Sequence, residues 1–289
     1  MKTMKCRDGF CLKHGFQRTS GCQRKPGFPH PGCEEYIIYA GERRLEYRIL
    51  VSHPTGEAPP EGYPVIYALD GNAVFHTLAE SARLQTRGPH GYDPAIIVGI
   101  GYPSGEPFDM RRRCYDFTIP APLQSLPKRP DGREWPEHGG ADSFLAVLAD
   151  EIMPLISGIF PIDFARQGLF GHSLGGLFVL HALFTRPSLF SHYAAGSPSV
   201  WWGGYTVLTE LEKFLDFYPH MQLQRNLMIT VGADELKHMV ADAEQLPSRL
   251  ERLAEQGLQV RLVKFADESH LTVLPATLSR LLRFTLERN

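Results

Sequence analysis

The chain has 289 residues, 43% of them apolar and 21% charged, with a formal net charge of −2. That length suits one large domain or two small ones, and a single domain of this size buries about 75% of the surface its unfolded chain exposes. A near-neutral chain of ordinary composition has no global field to draw in nucleic acid or an anionic membrane, so recognition of a charged ligand has to be local.

The opening residues, MKTMKCRDGFCLKHGF, are polar and lack the apolar core of a secretory signal. Nowhere do about 18 apolar residues run without interruption, so no membrane span is predicted and the cytoplasm is the expected location. Four of the five cysteines, Cys6, Cys11, Cys22 and Cys33, fall in the first 33 residues, with Cys114 far downstream. Only Cys6 and Cys11 are close, and paired zinc-ligand spacing is missing; no resident metal or cofactor is expected. Residues 1–32 are rich in Gly, Pro, Lys and Cys and lack periodicity, which predicts a poorly ordered basic leader. A single catalytic domain is expected over 33–289.

Regular structure should begin with EYIIYA and RRLEYRILVSH, two β-rich segments, the second alternating Leu45, Tyr47 and Ile49 with polar neighbours. YPVIYALDG predicts a buried strand ending at Gly71, followed by a helix over 73–87. PAIIVGIGY is a second continuous apolar strand, as in a parallel sheet covered on both faces. Between 101 and 140, seven prolines (103, 107, 120, 122, 127, 130 and 136) exclude long helices and central strands, and an insertion of this length predicts a lid or binding loop. ADSFLAVLADEIMPLISG has helical spacing with a kink or end expected near Pro154. A strand in RQGLFGHS then leads into the apolar helix LGGLFVLHALFTRP. FSHYAAGSPS, RNLMITVGADE and LQVRLVKFADESH each predict a strand and turn. The helices between and after them are TVLTELEKFLDFY, AEQLPSRLERLAEQG capped by Gly257, and LTVLPATLSRLLRFTLE. This alternation predicts an α/β fold of the α/β-hydrolase type: a mostly parallel sheet, helices on both faces, and short antiparallel strands at the N-terminal edge.

Gly171-His172-Ser173-Leu174-Gly175 sits between an apolar strand and an apolar helix. That is the setting of a nucleophile elbow, in which a strained turn lifts the serine above the sheet and the helix start offers N–H groups to an oxyanion. The alternative is a serine in a glycine-rich packing turn. A serine nucleophile needs a base, and in this fold acid and base follow it in loops after later strands. Of twelve histidines, His270 in FADESH has that placement. His172 adjoins the serine but should point away from it on an elbow; His181 falls in a helix interior; His192, His220 and His238 have no strand-end context. Glu235, three residues past Gly232, and its neighbour Asp234 are both candidates for the acid that orients the imidazole. In a dyad, a backbone carbonyl or water would serve instead. The oxyanion hole should use the backbone N–H of Leu174 and one from the loop after YALDG, for which Asn72 is the best placed, although LDGN is also a common turn.

Taken together, YPVIYALDGNAVF, IIVGIGYP, RRRCYDFTIP, GHSLGGLFVLHALF, SPSVWW and ESH resemble the bacterial siderophore esterases, the enterobactin, salmochelin and bacillibactin trilactone hydrolases among the esterase-D-like α/β hydrolases. The resemblance spans residues 35–289. It implies hydrolysis of a cyclic tris-catecholate trilactone, with Ser173 as nucleophile and His270 as base. Some family members are described as Ser–His dyads, and VGADE differs from the family's commoner Gly-Glu-Leu-Glu, keeping its last Glu. Any iron would arrive with the substrate, a small molecule. A ferric tris-catecholate is trianionic and aromatic, so its binding calls for local cations and rings. Arg112, Arg113 and Tyr115 in MRRRCYDF, and Trp201 and Trp202 in SPSVWW, are the candidates. Against them, an arginine triplet is often a solvated face, Asp116 offers a pairing partner, and one tryptophan suits the core.

Three other readings share these residues. A general carboxylesterase or thioesterase, such as an S-formylglutathione hydrolase-like enzyme, keeps the fold and changes the substrate. An acyltransferase is a third, and a non-catalytic protein that holds a ferric ligand is a fourth. No feature of the sequence speaks to oligomeric state.

Overall fold

A computed structural model of the chain describes residues 23–25, 32–89, 91–129 and 132–287. Among the described residues the sheet has nine strands: β1 (Gln23–Lys25), β2 (Cys33–Ala40), β3 (Leu45–Ser52), β4 (Tyr63–Leu69), β5 (Ile96–Gly101), β6 (Ile162–His172), β7 (His192–Gly196), β8 (Arg225–Gly232) and β9 (Leu258–Phe265). Their order is β1-β2-β3-β5-β4-β6-β7-β8-β9. The pairs from β1 to β5 are antiparallel and the remainder parallel. This is the expected α/β-hydrolase sheet. The stretch expected to be an unstructured leader contributes β1; the rest of that leader, with Cys6, Cys11 and Cys22, lies outside the described residues.

Side-chain alternation builds two cores. On β4, Val65, Tyr67 and Leu69 face one layer while Ile66 and Ala68 face the other. The thinner layer is covered by α1 (Gly71–Gln85) and α8 (Val273–Leu286), through Val74, Phe75, Leu278, Leu281 and Leu282. The thicker one is covered by α2 (Met110–Phe117), α3 (Ala141–Val147), α4 (Met153–Ile159), α5 (Leu174–Thr185), α6 (Trp202–Phe217) and α7 (Lys237–Leu250). Helix α5 is apolar all round and buried at almost every position, as expected for a helix wedged between the sheet and other helices.

Three helices differ from the sequence expectation. The segment around Pro154 neither ends nor breaks: a π-helical turn, Leu148–Ile152, joins α3 to α4 and places Pro154 in the first turn of α4. There the missing N–H of proline needs no partner. Helix α6 opens with Gly203, Gly204 and Tyr205 in left-handed conformation before regular winding sets in. Helix α7 starts at Lys237, earlier than expected, and continues as a 3₁₀ segment, Glu251–Gln256, that ends at Gly257 with φ 97°.

The proline-rich stretch is not uniformly peripheral. Its α2 is interior, with Arg113, Cys114, Asp116 and Phe117 all buried. The chain between Thr118 and Gly139 then leaves and returns to the same place. Its neck is closed by Gly139 N donating to Thr118 Oγ1 (2.9 Å), Gly140 N to Tyr115 O (2.8 Å) and Ala141 N to Thr118 O (3.1 Å).

His192 on β7 packs edge-on against Phe284 of α8, and burial lowers its pKa to about 4. The unfolded chain therefore takes up this proton first as pH falls. The contribution of neutral His192 to stability is complete above the unfolded value near 6.5 and is lost as pH drops toward about 4, at up to about 1.4 kcal/mol per pH unit. Denaturant unfolding of wild type and His192→Gln between pH 7 and 4 should show a shallower loss of stability in the variant; parallel curves would refute this assignment.

Candidate functional site

Strand β6 ends at His172, and Ser173 takes φ 60°, ψ −115° before α5 begins. Positive φ is uncommon for a residue with a side chain and costs about 1–3 kcal/mol unless the surroundings hold it. Here Ser173 N donates to Gly196 O (2.8 Å), and Ser173 O accepts from Leu177 N (3.0 Å) and Ser199 N (3.1 Å). A Cβ on Gly171 would lie 2.3 Å from Gly175 O, so that glycine is required for helix and strand to approach. These contacts make the GHSLG segment an elbow. Ser173 Oγ lies 3.4 Å from Ser199 Oγ.

The adjacent strand β4 ends in a matching turn. Asp70 adopts φ 53°, ψ 44°, and its carbonyl accepts from Ala73 N (2.8 Å) and Val74 N (3.2 Å) at the start of α1. The N–H groups of Gly71 and Asn72 therefore open α1 as that of Leu174 opens α5, without intrahelical partners. The Asn72 side chain faces a different task. Its Oδ1 accepts from Tyr102 N (2.9 Å), and its Nδ2 donates to the carbonyls of Tyr102, Ser104 and Glu106 (3.1, 2.8 and 3.2 Å), pinning the β5–α2 loop. Only its backbone N–H is left for an oxyanion.

Glu235 and His270 meet beyond β8 and β9. His270 Nδ1 lies 2.6 Å from Glu235 Oε2. The other carboxylate oxygen accepts from Ser197 Oγ (2.5 Å) and Gly232 N (2.8 Å). Burial alone would raise the Glu235 carboxyl, but the hydrogen bonds from His270, Ser197 and Gly232 outweigh it and hold its pKa below the usual range. With Nδ1 so engaged, Nε2 is the nitrogen left to take a serine proton. Asp234 is exposed, and its backbone N–H donates to Glu268 O (3.0 Å), tying the two loops together. Of the two acidic candidates, only Glu235 reaches the imidazole. His172 lies against His270, ring centroids 4.6 Å apart. Burial, with the charges of His270 and Arg113, lowers its pKa to about 3, so it stays neutral beside an imidazolium.

The predicted substrate-binding residues divide by exposure and partners. Trp202 is wholly buried, donating from Nε1 to Ile119 O (2.9 Å); it is a core residue, not a pocket wall. Trp201 is partly exposed and tilts against Trp135. Arg112 is turned inward over the rings of Tyr47 and Tyr102 (4.6 and 4.7 Å), donating to Glu46 O (2.8 Å) and pairing with Asp116 (3.4 Å). Arg113 is buried and bidentate on Asp70. Each guanidinium already bears a carboxylate partner, Asp116 for Arg112 and Asp70 for Arg113. Tyr115 lies under Arg43 and against Gly140. The triplet's exposed member is Arg111. A cavity of about 330 Å³ between α6 and α7, lined by Val200, Tyr205, Leu208, Asp242, Gln245, Leu246 and Arg249, adjoins the β7 loop but contains neither Ser173 nor His270. Sequence reasoning passed over Asp70, Ser197 and Ser199. Their signal was position alone: each directly follows a parallel strand or its first turn.

Fold, elbow and acid–base pair define an α/β hydrolase with serine-esterase architecture. The chain belongs to the putative esterase family, whose model matches residues 44–250, and it is a carboxylic ester hydrolase. It is 44% identical over 274 residues to the ferri-bacillibactin esterase BesA of Bacillus subtilis, covering 93% of this chain and 94% of that protein. Identity to the siderophore enterobactin esterase of Emericella nidulans is 34% over 270 residues, covering 83% and 89%. The crystal structure of BES protein from Bacillus cereus matches with a TM-score of 0.84 at 39% identity, covering 91% of this chain and 99% of that one. Among the described residues, no helix is long and apolar enough to cross a membrane.

Replacing Glu235 by Ala should lower kcat for a p-nitrophenyl ester by about 100- to 10,000-fold, while Asp234→Ala should change it less than about two-fold. Equal losses at both positions would remove Glu235 from its role.

Proposed function

We propose that this esterase hydrolyses ester bonds of a catecholate siderophore trilactone, freeing the iron the siderophore carries, after its uptake into the cytoplasm. The observation that carries this reading is the 44% identity to the ferri-bacillibactin esterase across nearly the whole of both chains. The geometry supports the accompanying mechanism. Ser173 Oγ attacks the ester carbonyl as Nε2 of His270 takes its proton. Glu235 holds the imidazole tautomer and balances the imidazolium. The N–H groups of Leu174 and Asn72 (or Gly71) face the oxyanion. The imidazolium returns the proton to the departing alkoxide, leaving an acyl-serine; water, deprotonated by the same imidazole, then releases the acid.

Arg113 and Trp202 are buried and Arg112 is half-buried against Asp116, so Trp201 and Arg111 are the more accessible aromatic and cationic groups for such a substrate. That arrangement favours one competing reading, a general carboxylesterase with no preference for catecholates. The two separate when the protein is incubated with enterobactin, with and without iron, and trimer, dimer and monomer are followed by mass spectrometry beside Ser173→Ala. Linear products from wild type and none from the variant are expected. An intact trilactone alongside turnover of simple esters would transfer the assignment to the general esterase.

A further inference from the structure

Helices α6 and α7 both begin where the loops of the site end. Helix α6 opens at Trp202, after the turn that carries Ser197 and Ser199, and α7 opens at Lys237, just past Glu235. Ser197 Oγ donates to Glu235 Oε1 (2.5 Å) and Ser199 N to Ser173 O (3.1 Å), so the two helix starts are tied into one set of bonds. Beyond those bonds the helices enclose the cavity of about 330 Å³, a size within the roughly 300–1,000 Å³ of small-ligand sites.

The floor of the cavity is apolar. Val200 and Leu246 are 2% and 1% exposed, and Leu208 packs against the core. Its rim is charged. Asp242 Oδ2 is buried and has no hydrogen-bond partner, and Arg249, farther along α7, is exposed. Burial raises the Asp242 carboxyl above its usual pKa, and the charges of His238 and Arg249 oppose that rise. The guanidinium therefore acts on the carboxylate without bonding to its buried oxygen. A buried acceptor left open is costly, and a donor entering the cavity would relieve that cost. Tyr205 closes the α6 side. It stands at φ 69°, the third of three left-handed residues after Gly203 and Gly204, a conformation that a residue with a side chain rarely takes. A Cβ on Gly203 would lie 2.7 Å from the Ala121 Cβ, so the proline-rich segment bears on the turn that brings this ring to the cavity.

We propose that the cavity is a second binding site, for a small zwitterion with an apolar side chain (an α-amino acid), and that its occupancy lowers turnover at Ser173. The ammonium donates to Asp242 Oδ2, the carboxylate accepts from Arg249, and the side chain lies on Val200, Leu208 and Leu246 beside the Tyr205 ring. Turnover responds because Val200 directly follows Ser199. The bonds of 2.5 and 2.6 Å that hold Glu235 to Ser197 and His270 have no room to shorten, so a shift of α6 against α7 can only loosen them. The turnover readout rests on the Ser173–His270–Glu235 reading; the binding readout does not.

L-phenylalanine is the probe. Isothermal titration should show saturable binding at one site per chain, equal in wild type and Ser173→Ala. Asp242→Asn and Arg249→Gln should each weaken it about 10- to 100-fold, while leaving kcat for p-nitrophenyl acetate unchanged when no amino acid is present. Phenethylamine, which lacks the carboxylate, should be indifferent to Arg249→Gln, and hydrocinnamate, which lacks the ammonium, to Asp242→Asn. At saturation L-phenylalanine should lower wild-type kcat about five-fold or more with KM unchanged. Absence of saturable binding, or binding indifferent to both substitutions, overturns the site. Binding with kcat unchanged overturns the coupling, and a rise in KM alone moves the amino acid into the substrate crevice and overturns both. Turnover surviving in Ser173→Ala would sink the nucleophile reading, and the titrations would still decide the site.

Discussion

Strands β4 and β6 run parallel side by side, with Tyr67 opposite Leu169 and Ala68 opposite Phe170. The chain leaves β4 toward β5 on one side and returns to β6 on the other. At such a switch point, two loops diverge from the carboxyl ends of neighbouring strands and leave a crevice. Here both loops are single-residue turns at positive φ, so two helices start almost together with their N-termini facing the same crevice. Everything chemical in the site is arranged around that coincidence. Ser173 stands on one turn and Asp70 on the other, and His270 lies beyond β9.

Charge in the crevice is kept in step with this geometry. The acid has both oxygens occupied, by His270 on one side and by Ser197 and Gly232 on the other. A carboxylate so saturated has little freedom to rotate away from the imidazole. His172 would be a poor neighbour if charged, because two imidazolium rings 4.6 Å apart repel. Burial keeps it neutral, so only one ring of the pair is left to carry charge.

Strand alternation, the elbow and the place of His270 after a strand were legible because each rests on local pattern: apolar runs, a Gly-x-Ser-x-Gly turn, and a histidine just past a β-rich segment. Glu235 and Asp234 were hard to separate, since adjacent residues in a turn differ in which way the backbone aims them, and the partners that hold Glu235, Ser197 and His270, lie outside the segment. Arginine and tryptophan misled for a related reason. Residue type suggests affinity for an aromatic anion, but Arg113 finds its carboxylate 43 positions away and Trp202 its carbonyl 83 positions away. Such long-range partners convert binding chemistry into scaffolding. The π turn before Pro154 was similarly hidden, because proline signals a break without saying how a helix can absorb it.

The closed neck between Thr118 and Gly139 has one more consequence. Closing a loop loses entropy that grows only slowly with its length, and here the ends are already fastened by the backbone of α2 and the start of α3. What lies between can lengthen, shorten or change composition while α2, and the guanidinium it delivers, remain seated. The insertion behaves as an exchangeable cassette bolted to a fixed hinge plate. Change in the loop is thereby uncoupled from the seating of the helix that precedes it.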